Sequence, residues 1–107
     1  MRRRVVDSLE ELADTEFQER VWWREDGPEV SSFIECIEGL FSDSGLKRRL
    51  DIGEPVFSPD IDLQLVHLCE LGSRIDPYRP HEIVKADPNL QQAKLLAQSI
   101  LHALIVA

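Results

Sequence analysis

The chain is poor in the features that mark several common protein classes. Its 107 residues include two cysteines, one methionine, one tyrosine and five glycines. Cys36 and Cys69 lie in separate apolar segments and form no closely spaced pair, so both read as reduced core thiols of a cytoplasmic protein. The glycines make neither G-x-G-x-x-G nor G-x-x-x-x-G-K-[ST]. "HEIVK" at His81 opens the H-E-x-x-H pattern but has Lys85 where a second histidine is required. His67 and Cys69, two apart on a predicted helix, point to different sides, and neither a metal site nor a cofactor is expected.

Long hydrophobic runs are also missing. "MRRRVVDSLEEL" lacks the apolar region of a secretory signal. The most apolar tail, Leu95 to Ala107, is interrupted by Gln98, Ser99 and His102 and falls short of the ~20 residues that cross a bilayer. No membrane association is expected. Catalytic residues are not expected either, because the histidines His67, His81 and His102 are scattered and a nucleophile needs a base within reach. The paired carboxylates Asp60 with Asp62 and Glu10 with Glu11 sit in predicted first turns, where caps and the helix dipole explain them.

What is present is an ordinary globular mixture, 43% apolar and 30% charged, of a length that suits one compact domain over 1–107. The pattern predicts an all-α fold of about five helices. Asp7 and Ser8, each with a glutamate three residues on, signal a helix start after Val5 and Val6. Thr15 with Gln18 offers a second start before "FQERVWW", and Gly27 and Pro28 mark a turn. Ser32 with Glu35 restarts helix, with Phe33, Ile34, Cys36, Ile37, Leu40 and Phe41 on one side, and "SDSG" ends it. "LKRRLDIGEPVF" reads as a short helix and a loop around Gly53 and Pro55. "SPDID" places Ser58 at an N-cap and Pro59 at the first helical position. The inner face of that helix is Ile61, Leu65, Leu68 and Cys69, and Gly72 closes it. "HEIVKA" predicts one or two turns. Asp87 and Pro88 then begin a last helix whose stripe of Leu90, Ala93, Leu96, Ala97, Ile100, Leu101 and Leu104 places it at the centre of the core.

Charge is distributed unevenly. Three arginines stand in residues 1–6, whereas residues 7–43 carry 12 acidic against 2 basic residues and residues 44–107 are nearly balanced, within a net charge of −8. Such a field repels phosphate backbones and speeds encounter with basic partners. Its plainer meaning is a solvated face. The basic clusters at Arg2 to Arg4 and Lys47 to Arg49 have no interleaved aromatics, so no nucleic-acid partner is expected. The arginines at the N-terminus lie over the chain's own acidic segment or project freely.

Trp22 and Trp23 are adjacent, and one face of a helix does not easily take both rings. On a continuous helix Trp23 joins Leu9 and Leu12, which leaves Trp22 outside among Glu11, Glu19 and Glu25 as the anchor of a contact surface. The alternative is a Trp22 covered by the last helix or by the "DGPEV" turn.

The run "LADTEFQERVWWREDGPEVSSFIECIEGLFSDSGL", followed by "VFSPDIDLQL", resembles a family of short acidic bacterial proteins with unassigned or immunity-like roles. The resemblance implies a small cytosolic protein that occludes a secreted, basic toxin nuclease, and it brings no catalytic motif. The resulting expectation is a protein that binds another protein, with Glu11, Glu16, Glu19, Glu25, Asp26 and Glu29 steering and Trp22 anchoring a basic partner. The second expectation is a homodimer through an apolar contact that includes the last helix. A small enzyme or ligand-binding domain, which would show a pocket with converging histidine and carboxylate side chains, is the third.

Overall fold

Seven helices and no strand make up the described part of the chain, which in this computed structural model comprises residues 1–24 and 31–106. They are α1 (Arg2–Ala13), α2 (Thr15–Phe17, continued by a π-helical segment Gln18–Trp23), α3 (Phe33–Ile37, continued by a π-helical segment Glu38–Asp43), α4 (Leu46–Asp51), α5 (Pro59–Ser73), α6 (His81–Lys85) and α7 (Pro88–Val106). The all-α expectation holds.

Packing rather than capping decides where α1 begins. The cap signals at Asp7 and Ser8 predict a start there, yet the helix runs through both from Arg2. Val5, Leu9 and Leu12 fall at i, i+4 and i+7 and are fully buried. Burying a valine is worth about 1.5–3 kcal/mol, against about 1 kcal/mol for a cap, so the extra turn wins. Asp7 faces Arg3 one turn back instead, at 3.9 Å.

α1 stops at Asp14, whose extended backbone (φ −98°, ψ 95°) breaks the helix and whose carboxylate accepts the Phe17 amide at 3.0 Å. The predicted restart is present, with its cap one residue before Thr15. Gln18, expected to support that cap, turns inward and is completely buried. Its Nε2 donates to the carbonyls of Glu11 (2.9 Å) and Leu12 (2.8 Å) in the last turn of α1, the first of which also accepts the Asp14 N–H at 3.2 Å.

The later starts follow the sequence. Ser32 accepts the Glu35 amide at 3.1 Å, Ser58 accepts that of Ile61 at 3.2 Å, and Asp87 accepts that of Asn89 at 2.8 Å. Gly45 (φ +80°) takes the left-handed conformation that separates α3 from α4, which few side chains tolerate. Asp62 reaches back to accept both the Val56 and Phe57 amides (2.9 and 3.0 Å), pinning the loop before α5.

α7 is the central helix and packs against both α1 and α5. It runs antiparallel to α1: Gln98 donates to the Ala13 carbonyl at 3.4 Å, while Arg2, Arg3 and Val6 lie with Leu101, Leu104 and Ile105. Ala93 and Ala97, one turn apart and buried, leave room for close approach of neighbouring helices. Two expectations about α5 are corrected. Gly72 does not close the helix but is buried within it, 3.5 Å separating the place of a Cβ from Ile37 Cδ1. Cys69 is only half buried, because Leu71 and Gly72 take the inward positions. The Cα radius of gyration, 13.4 Å, is that of one compact unit of this length. Among the described residues no helix is long and apolar enough to cross a membrane.

The amide of Gln18 ties two helices that a chain break would otherwise release. Gln18→Met, which keeps the volume but deletes the donors, is expected to cost about 1 kcal/mol in denaturant unfolding, because the buried Leu12 carbonyl loses this donor while Glu11 keeps the Asp14 N–H and the buried, unpaired Gln18 Oε1 is removed.

Candidate functional site

The break at Asp14 and the wide π turn re-phase the helix that carries the tryptophans. Gln18, Val21 and Trp22 become the buried set, and Trp22 is 2% exposed. This corrects the expectation of an exposed Trp22 anchor: the inward ring is Trp22, and Trp23 is the half-exposed one. A continuous 3.6-residue period carried from Leu9 and Leu12 does not survive an intervening extended residue and a turn closed by i→i+5 bonds. Trp22 stacks on Phe33 (centroids 6.1 Å, interplanar angle 17°) and meets Trp23 edge-on (5.6 Å, 86°). Trp23 leans on His81 at 5.5 Å, at the rim of the molecule. A buried indole needs an acceptor for its N–H. Glu11 supplies it: Trp22 Nε1 donates to Oε2 at 2.8 Å, and Ser31 Oγ donates to the same oxygen at 2.6 Å.

Glu11 also lines an open groove of about 470 Å³ between α1 and α3. Asp7 and Glu11 come from α1; Glu35, Glu38 and Asp43 come from α3. Arg4 is the one cation among the described residues of the lining, and its Nη2 stands 3.3 Å from Asp43 Oδ2. Gly39 lies beneath that guanidinium, where a Cβ would come within 3.5 Å of Ser8 Oγ and 3.8 Å of Arg4 Nη2. Among the described residues no cation pairs with Glu35 or Glu38.

At the groove's inner wall the Cys36 thiol donates to the Ser8 carbonyl at 3.3 Å. Burial, and then the negative charge of Glu11, push its pKa well above that of a free thiol. The sulfur is held protonated, the opposite of an activated nucleophile. Burial likewise pushes up the Cys69 thiol, which lies beside Lys47 and Leu50 of α4. Among the described residues no three His, Cys, Asp or Glu side chains stand where they could share a metal ion.

The acidic residues singled out in the sequence divide. Glu11 is committed to Trp22 and Ser31. Glu19 is paired with Lys85, whose hydrogen bond and charge hold its carboxyl below the usual carboxylate range. Glu16 is exposed, and Glu25, Asp26 and Glu29 lie outside the described residues. Sequence reasoning missed Glu35, Glu38, Asp43 and Arg4. Their signal was present in the spacing: Glu35 and Glu38 are three apart on the side of α3 away from Phe33 and Cys36, and Arg4, Asp7, Ser8 and Glu11 follow i, i+3, i+4 and i+7. Only the meeting of α1 with α3 joins the two sets.

Two measurements check this arrangement. With Trp23→Phe, the remaining Trp22 should emit at short wavelength and resist acrylamide quenching, and with Trp22→Phe the remaining Trp23 should be quenched more readily. Thiol titration of the folded chain at neutral pH should leave Cys36 unmodified and modify Cys69 slowly, with a rate that rises with pH as its thiolate forms; unfolding should expose both.

No protein-family model, no curated protein and no solved structure matches this chain. The functional reading of its surface therefore rests on its own residues.

Proposed function

We propose that this chain is a non-catalytic protein-binding domain, and that its acidic face takes a basic protein in the manner of an immunity or antitoxin-like inhibitor. The observation that supports this is the α1–α3 groove, where five carboxylates from residues 7–43, a segment of 12 acidic and 2 basic residues, stand against Arg4 as the single arginine of the described lining. A cytoplasmic location in a bacterial cell fits such a role.

The physics is that of steering and then seating. Several carboxylates on one face produce a field that reaches about a Debye length, ~8 Å at physiological salt, and raises the encounter rate with a cation-rich surface. Glu35 and Glu38, held on a capped helix, then present acceptors to arginine or lysine side chains; Arg4 on Asp43 already shows a guanidinium seated there. Of the buried residues, Cys36 and Gly39 line the groove, while Trp22 lies behind it, bonded to Glu11. Trp22→Ala is no test of this surface, because removing a buried tryptophan costs about 3–5 kcal/mol of stability.

The test uses the purified chain and its Glu35→Lys/Glu38→Lys variant as paired baits in lysate of the native host, at low and high salt, with the retained protein then purified and its association rate measured. A basic protein held by the wild type at low salt, lost on charge reversal and binding at a rate that falls steeply with ionic strength, is the expected result. Equal capture by both baits, or no salt-dependent partner, overturns the proposal.

A further inference from the structure

The antiparallel pair α1 and α7 leaves a second groove, of about 650 Å³, where the beginning of α1 meets the end of α7. Val6, Leu101 and Leu104 give it an apolar centre within a mixed lining, and Ile105 stands at its edge. Ile105 is 81% exposed and the adjoining Val106 67%, although neither caps a helix nor packs in the core. Four charges of α1 line it, two of each sign: Arg2 and Arg3 in the first turn, with Arg2 also over the Phe57 ring at 5.8 Å, and Asp7 and Glu10 one and two turns further along. The Arg3–Asp7 contact within the chain is loose, 3.9 Å between side chains that are 93% and 64% exposed.

We infer that this groove is the contact between two copies of the chain, paired about a two-fold axis. An isologous interface must be complementary to itself, so a patch that serves it needs an apolar centre and both charge signs on its rim. This groove has both. Each copy carries a net charge of −8, most of it in residues 7–43, so approach by most faces is repelled. Here the rim sums to zero, and a two-fold axis sets Arg2 and Arg3 of one copy against Asp7 and Glu10 of the other while Ile105 and Val106 leave water. Asp7 borders both grooves, while Glu35, Glu38 and Asp43 stay outside this contact, and the pairing does not depend on the acidic groove having a partner.

Sedimentation equilibrium of the full chain across a wide concentration range tests the pairing, with circular dichroism confirming that each variant is folded. The wild type is expected to show a reversible monomer–dimer equilibrium. Ile105→Glu, Arg3→Glu and Glu10→Arg, all exposed positions, should each weaken it about tenfold or more. An equimolar mixture of the Arg3→Glu and Glu10→Arg chains should recover association, because opposite charges then face each other across the axis. A wild type that stays monomeric, a dimer indifferent to all three substitutions, or a mixture that fails to recover overturns the inference. So does a monomer that instead binds phosphatidylglycerol vesicles through the same residues, which would make the patch a lipid-facing surface.

Discussion

One carboxylate oxygen, Glu11 Oε2, joins three parts of the chain. It accepts the indole N–H of Trp22 and the hydroxyl of Ser31 while Glu11 itself belongs to α1. A charged acceptor makes these bonds stronger than neutral ones, and a buried indole without one would be costly. The orientation of Trp22, the position of the residue that leads into α3, and the inner wall of the acidic groove all follow from it. One turn further along, Gln18 does the corresponding work for the end of α1, bonding the Glu11 and Leu12 carbonyls. The π-helical segment is thus fastened to α1 at two neighbouring points, and the groove between α1 and α3 inherits a fixed width.

The surface charges contribute little to holding this together. The pairs Arg4–Asp43, Lys47–Asp51 and Arg49–Glu54 involve side chains about half exposed, and such pairs are worth about 0–1 kcal/mol each. Stability comes from the buried stripes of α1, α5 and α7, which meet on α7. Within residues 7–43, Glu11 and Asp14 are needed by the fold, whereas Glu35 and Glu38 make no side-chain contact that holds it together among the described residues. Cys36 illustrates the division: it lines the acidic groove, yet its thiol is spent on the Ser8 carbonyl and kept protonated by its surroundings.

Two adjacent tryptophans are accommodated because they are given different environments. Trp22 enters the core between Phe33 and the indole of Trp23, and Trp23 closes the edge against His81. The resulting row of rings runs from the core to the surface, with the polar atom of its buried member satisfied by Glu11. Edge-to-face and offset contacts of this kind add about 0.5–1.5 kcal/mol each beyond the area buried.

Local chemistry was legible in the amino-acid sequence alone. The starts of α3, α5 and α7 at Ser32, Ser58 and Asp87, the stop at "SDSG" and the apolar stripe of α7 depend on residues within one or two turns of each other, and their spacing reveals them. The acidity of residues 7–43 was equally plain. Tertiary structure decided the rest. α1 begins at Arg2 because Val5 finds a core to enter, which no cap signal reports. Trp22 rather than Trp23 is inside because the break at Asp14 and the π turn shift the helical phase, and a phase cannot be carried across a break from sequence. Glu35, Glu38 and Asp43 come to face Asp7 and Glu11 only because α3 docks on α1, a contact between segments whose separation in the chain leaves no local trace.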